Sequence, residues 1–109
     1  MSTEALEKML AKGMDNALLR FGLGKGYLDA GDFPLAAQHL QRCVQFDPKY
    51  SAAWKLLGKA LLAAAQPLAA QHAWEQGMTA AQTHGDKQAE KEMTVFLRKL
   101  AKQLPSDGS

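Results

Sequence analysis

The feature that most constrains this chain is an internal period of 34 residues. Laid over itself at that offset, Leu23-Gly24-Lys25 falls on Leu57-Gly58-Lys59, Leu28 on Leu62, Ala30 on Ala64 and Ala36 on Ala70. In an Ala- and Leu-rich chain the placement of these identities carries more weight than their number. They recur at helical spacing, and each copy breaks midway, at Gly31 and near Gln66-Pro67. A unit of this length, written twice, describes two stacked helix-turn-helix repeats rather than a closed sheet or a single long helix.

The flanking segments follow the same logic. Residues 3 to 12 place Ala5, Leu6, Met9 and Leu10 on one side of a short helix, with Glu4 and Glu7 early and Lys8 and Lys12 late, as the helix dipole favours. Gly13 ends it, and Asp15 or Asn16 caps the next helix, expected from about Asn16 to Asp29 with Leu19, Leu23, Tyr27 and Ala30 at helical spacing. Asp32 then caps a helix running to about Phe46, with Pro34 in its first turn, where a missing N–H costs little, and Leu35, Ala36, Leu40, Cys43 and Val44 on its buried face. In the second copy Ser51 is expected to cap a helix carrying Ala53, Trp54, Leu57, Gly58 and Leu61, and Gln66-Pro67 opens one reaching to about Thr83. His84-Gly85-Asp86 supplies a stop and a new cap for a last helix over 87–103, whose Ala89, Met93, Phe96, Leu97 and Leu100 share a face.

Composition closes off several function classes. With 109 residues, 47% hydrophobic and 22% charged, the chain suits one small soluble domain. No apolar run approaches the ~20 residues that span a bilayer, and charges interrupt the N-terminus where a secretory signal would be unbroken. A cytoplasmic protein is expected. A single cysteine, Cys43, excludes an internal disulfide and a thiolate zinc cluster. A net charge of +2 is too small for a nucleic-acid footprint, and the row of Lys87, Lys91, Arg98 and Lys102 on the last helix reads as a solvated outer face.

Taken jointly, the two copies resemble the tetratricopeptide repeat, whose signature is Trp-x2-Leu-Gly-x2-Tyr, then Ala-x3-Phe, then Pro. The first copy supplies Leu23-Gly24-x2-Tyr27, Ala36-x3-Leu40 and Pro48; the second supplies Trp54-x2-Leu57-Gly58 and Ala70-x3-Trp74. Arg20, Leu61 and Gln82 depart from it. The resemblance implies an all-α fold, an α-α superhelix of repeats at about 17–50 and 51–84. An N-terminal helix and a C-terminal capping helix at about 87–103 flank them, within one domain over 1–104. Residues 105–109 are expected to form a disordered tail. Gly24, Ala36 and Cys43, with Gly58, Ala70 and Gly77 one period later, are small where paired helices must approach, and Trp54 and Trp74 are expected to fill the core between helices.

No catalytic constellation can be read. Gly22-Leu23-Gly24-Lys25-Gly26 superficially suggests a phosphate loop, but no strand precedes it, and Leu19 and Gly26 stand where such a loop needs Gly and Ser or Thr. Gly22 and Gly26 are not explained by the repeat pattern, and each weakens a helix by ~1 kcal/mol relative to Ala. His39, His72 and His84 lack ligand spacing, so no metal and no cofactor are expected, and Cys43 at a small-residue position reads as a buried, inert thiol.

The resemblance instead implies a non-enzymatic protein-interaction module. Its first helices line a concave groove, here Leu18, Phe21, Lys25, Leu28 and Asp29 from one repeat and Lys55, Lys59 and Leu62 from the other. Three lysines beside apolar groups suit a protein or peptide partner with acidic character, without nucleic acid or membrane, the chain being a monomer or weak homodimer. The residues that clamp a terminal carboxylate in chaperone-binding members are replaced here by Phe21, Lys25 and Leu56. A structural subunit or self-association module is the alternative.

Overall fold

Backbone capping and turn chemistry divide the chain as its sequence predicts. The structure, a computed structural model, describes residues 2–104; the expected tail at 105–109 lies outside them. Among the described residues there are six helices and no strand: α1 (Thr3–Ala11), α2 (Ala17–Asp29), α3 (Phe33–Phe46), α4 (Ser51–Ala63), α5 (Pro67–His84) and α6 (Lys87–Gln103). Asn16 Oδ1 accepts from Leu19 N at 2.9 Å, Asp32 Oδ1 from Leu35 N at 3.3 Å and Asp86 Oδ1 from Ala89 N at 3.1 Å, each satisfying an N-terminal amide that the helix leaves without a partner.

The turn between α2 and α3 is closed by Gly31 at φ 83°, and one period later Ala65 holds the same left-handed geometry at φ 63°. For alanine that conformation costs ~1 to 2 kcal/mol. The repeat therefore imposes its turn on a residue unsuited to it.

Ser51 departs from expectation. Tyr50 is the N-cap of α4 and makes no side-chain capping bond, while Ser51 Oγ donates to Asp86 Oδ2 at 2.6 Å, across to the start of α6. The bond holds the Asp86 carboxyl below its usual range, with the Ala89 amide adding to the effect.

Helices α2 and α3 pair, α4 and α5 pair, and α6 packs chiefly on α5. The stack measures 51 × 30 × 18 Å. Its core runs through Leu23, Ala36, Leu40, Cys43, Ala53, Leu57, Ala60, Ala70, Trp74 and Met93, all essentially inaccessible.

Close approach rests on the small positions. A Cβ on Gly24 would collide with Leu40, and one on Gly58, a period later, with the Trp74 indole, itself a period after Leu40. The same contact is thus made twice, with a larger partner in the second layer. Trp74 is 2% exposed and its Nε1 donates to Lys55 O at 3.0 Å. Trp54 departs from expectation: it is only half-buried, lying across Gly77 with its Nε1 donating to Pro48 O at 2.8 Å. Trp74 thus lies wholly inside the interhelical core, while Trp54 packs against the central cluster from its edge.

Candidate functional site

The first-repeat groove residues divide between core and surface. Phe21 is half-buried and stacks on Tyr50, ring centroids 4.8 Å apart, and Leu28 packs against the central cluster. Leu18, Lys25 and Asp29 instead face outward and line a cleft of about 480 Å³ between α1 and α2, together with Leu6, Met9, Leu19, Gly22 and Gly26. Its walls are mostly apolar. Leu18 stands at its edge 73% exposed.

The two glycines that the repeat pattern leaves over have their reason here. A Cβ on Gly22 would stand 3.0 Å from Leu6 Cδ1, and one on Gly26 would meet the Thr3 methyl. They seat α1 on α2. Sequence reasoning missed this because α1 has no second copy in the chain against which its contacts could be read; the i, i+4 spacing of the glycines was the available signal.

The second-repeat residues are engaged by α6. Lys55 Nζ bonds Glu92 Oε2 at 3.0 Å, Lys59 Nζ lies 5.1 Å from the centroid of Phe96, and Leu62 packs into the cluster of Trp74, Met93 and Phe96. The hydrogen bond from Lys55 holds the Glu92 carboxyl below its usual range, aided by Gln88. Lys25, Lys55 and Lys59 therefore do not present three equivalent cations to solvent.

A polar network lies beneath α1. Asp15 takes both arms of Arg20, at 2.7 and 2.9 Å, and this bidentate bond lowers the Asp15 pKa and raises that of Arg20. Arg20 Nη1 is 3.1 Å from His39 Nδ1. An arginine can only donate, so Nδ1 accepts and the proton of neutral His39 sits on Nε2. That nitrogen faces Glu7 Oε1 at 3.4 Å, a buried oxygen otherwise without a hydrogen-bond partner. Tyr27 stacks on the imidazole at 5.5 Å. Burial, then the neighbouring Arg20 charge, pushes the His39 pKa down. His39 is 6% exposed, and its counterpart one period on, Ala73, gives no hint of a charged neighbourhood.

Cys43 is fully buried, donates to Ala17 O at 3.2 Å, and burial pushes its thiol up to about 11, far from a thiolate nucleophile at neutral pH. Among the described residues no group of three His, Cys, Asp or Glu side chains converges to hold a metal, and no helix is long and apolar enough to cross a membrane.

No family model matches the chain. A whole-chain relative does: the TPR repeat-containing protein PA0015 of Pseudomonas aeruginosa is 76% identical over 100 residues, covering 92% of this chain and 95% of that one. The solution structure of protein BPP2914 from Bordetella parapertussis superposes with a TM-score of 0.80 at 52% identity, covering 93% of this chain and 88% of that one. The repeated Gly24–Leu40 and Gly58–Trp74 contacts, the six-helix stack and this relationship agree: the chain belongs to the tetratricopeptide repeat-containing proteins.

Proposed function

We propose that the protein is a non-enzymatic interaction module that binds a partner polypeptide along its A helices, chiefly at the cleft that α2 forms with α1. The observation that carries this reading is the α1–α2 cleft, apolar, about 480 Å³ and edged by a leucine 73% exposed. A cavity of that size falls within the ~300 to 1,000 Å³ range of binding pockets. Leu18, Lys25 and Asp29 make the first contact, with Phe21 and Leu28 fixing the shape of α2 beneath them. Lys55, Lys59 and Leu62 continue the surface where α6 leaves Lys59 exposed.

The mechanism is preorganisation. Packed helices hold the contact groups before the partner arrives, so little order is lost on association. An apolar side chain buried against Leu18, flanked by a carboxylate reaching Lys25, is the complementary ligand, which gives the partner its acidic character. A non-enzymatic role fits the titratable groups, whose closest cluster, Asp15, Arg20, His39 and Glu7, is spent on internal pairing.

A photo-crosslinking residue at position 18, compared with one at Arg98 on the outer face of α6, tests the assignment in cells. Adducts specific to position 18, lost on Lys25→Glu, are expected. The same adducts from both positions would sink it.

A further inference from the structure

A groove over α4 is the second copy of a place that the first layer fills with one of its own side chains. It measures about 310 Å³ and lies where α3 and α5 both pack on α4. Gln41, Trp54, Leu57, Leu61 and Ala73 line it, and they stand one period after Glu7, Arg20, Leu23, Tyr27 and His39. In the first layer the His39 imidazole occupies the matching position. The counterparts of Gln41, Trp54 and Leu61 hold it there, with Glu7 at Nε2, Arg20 at Nδ1 and the Tyr27 ring stacked on its face.

The second layer keeps the walls and loses the ring. Ala73 has only a methyl group where His39 carries an imidazole, and Leu61 replaces the Tyr27 phenol that lay against it. The floor stays closed, Leu57 being 1% and Ala73 2% exposed, so the lost side-chain volume appears as a groove open to solvent. Its rim is polar. Gln41, Gln66 and His72 are exposed around it, and among the described residues none of their side chains has a protein hydrogen-bond partner. An apolar floor with a few polar groups free at its edge is the make-up of a small-ligand site, and the volume lies at the lower end of the ~300 to 1,000 Å³ range.

The differences between the layers decide what fits. A flat ring can lie against Leu61 and Ala73 as the imidazole lies against Tyr27. Gln41, in the position of Glu7, can accept from an N–H or O–H on one edge of that ring. The opposite edge must be apolar, because Arg20, the donor to His39, has become Trp54, whose single donor is committed to Pro48 O at 2.8 Å. No Lys, Arg, Asp or Glu lines the groove, so a charged ligand would lose hydration without gaining a partner.

We propose that this groove binds a neutral aromatic ring bearing one N–H or O–H on its edge, an indole or a phenol, as a free small molecule or as a side chain of a partner. The groove shares no lining residue with the α1–α2 cleft and does not depend on the reading of that cleft.

Titration of the whole chain with indole, followed by amide NMR, tests it. Saturable shifts at Gln41, Leu61, Ala69 and Ala73 are expected. Ala73→His sets the chain's own imidazole where the first layer has one, and should weaken indole about tenfold or more. Gln41→Ala changes an exposed side chain and leaves the fold intact; it should weaken indole but not N-methylindole, which lacks the N–H. A blocked tripeptide with a central tryptophan separates the two sources. Binding of the tripeptide with the same dependence on Ala73 points to a partner's side chain, and binding of indole alone to a free small molecule; both uphold the ring. N-methylindole bound as tightly as indole by the wild type would refute the polar edge. Absence of saturable shifts with indole, or binding that neither substitution weakens, would overturn the site.

Discussion

Replacing Gly58 by alanine probes the contact on which the layers are spaced. A Cβ there would lie closer than 3 Å to three atoms of the Trp74 indole. The ring has little freedom to retreat: its Nε1 is tied to Lys55 O at 3.0 Å, and its far side meets Phe96 at 5.2 Å between centroids. Overpacking of this kind costs ~1 to 3 kcal/mol. Losing the buried indole bond adds ~1 to 3 kcal/mol if the ring gives way. Alanine's better helix propensity returns ~1 kcal/mol. With the ring displaced, the net expectation is a loss of about 1 to 5 kcal/mol, or several degrees of melting midpoint and more for a domain of this size.

Gly22→Ala is the matched control, the same change in an equally helical setting. Its Cβ meets only the flexible tip of Leu6 at 3.0 Å, so propensity prevails and stability should hold or rise by up to ~1 kcal/mol. Urea unfolding of both, followed by far-ultraviolet circular dichroism, reads the difference directly. If Gly58→Ala matched or exceeded the wild type, the spacing would not depend on that glycine and the comparison with Gly24 would lose its physical content.

Three further outcomes are expected. Ala65→Gly should stabilise by ~0.5 to 1 kcal/mol in the same assay, because relief of the left-handed alanine outweighs the added freedom of the unfolded chain; a loss of stability would deny the strain. Trp74→Ala should cost ~3 to 5 kcal/mol and Trp54→Ala clearly less, by thermal melting, since only the former is fully buried. His39 has a folded-state pKa below its ordinary 6.5, so the unfolded chain takes up its proton first: stability is full above about pH 6.5 and declines as pH falls toward the carboxylate range. His39→Gln should flatten that slope, and an unchanged slope would move its origin elsewhere.

The readable part of this fold was the part written twice. Gly24 and Gly58, and Leu40 and Trp74, could be matched without coordinates because contacts within a repeat recur at a fixed offset. Caps at Asn16, Asp32 and Asp86 were local and equally legible. The offset also laid Ala65 on Gly31, a hint of the left-handed turn that propensity alone would conceal. What escaped were contacts made once, at the ends. Ser51 pairs with Asp86 rather than capping its own helix, Lys55 and Lys59 are taken up by α6, and α1 hides behind Gly22 and Gly26. For the candidate site, the resemblance picked out Leu18, Lys25 and Asp29 along with Phe21 and Leu28, but not the cleft, since α1 supplies its other wall.

The hydrogen bond from Ser51 to Asp86 has a bearing on how the stack comes apart. It clasps the start of α4 to the start of α6, and Lys55 with Glu92 adds a second rivet farther along, so the C-terminal layer cannot peel away without breaking both. The opposite end hangs on a nine-residue helix seated on two glycines. Fraying in a linear array starts at its weaker terminus. Loss of structure is therefore expected to begin at α1 and to reach α6 last.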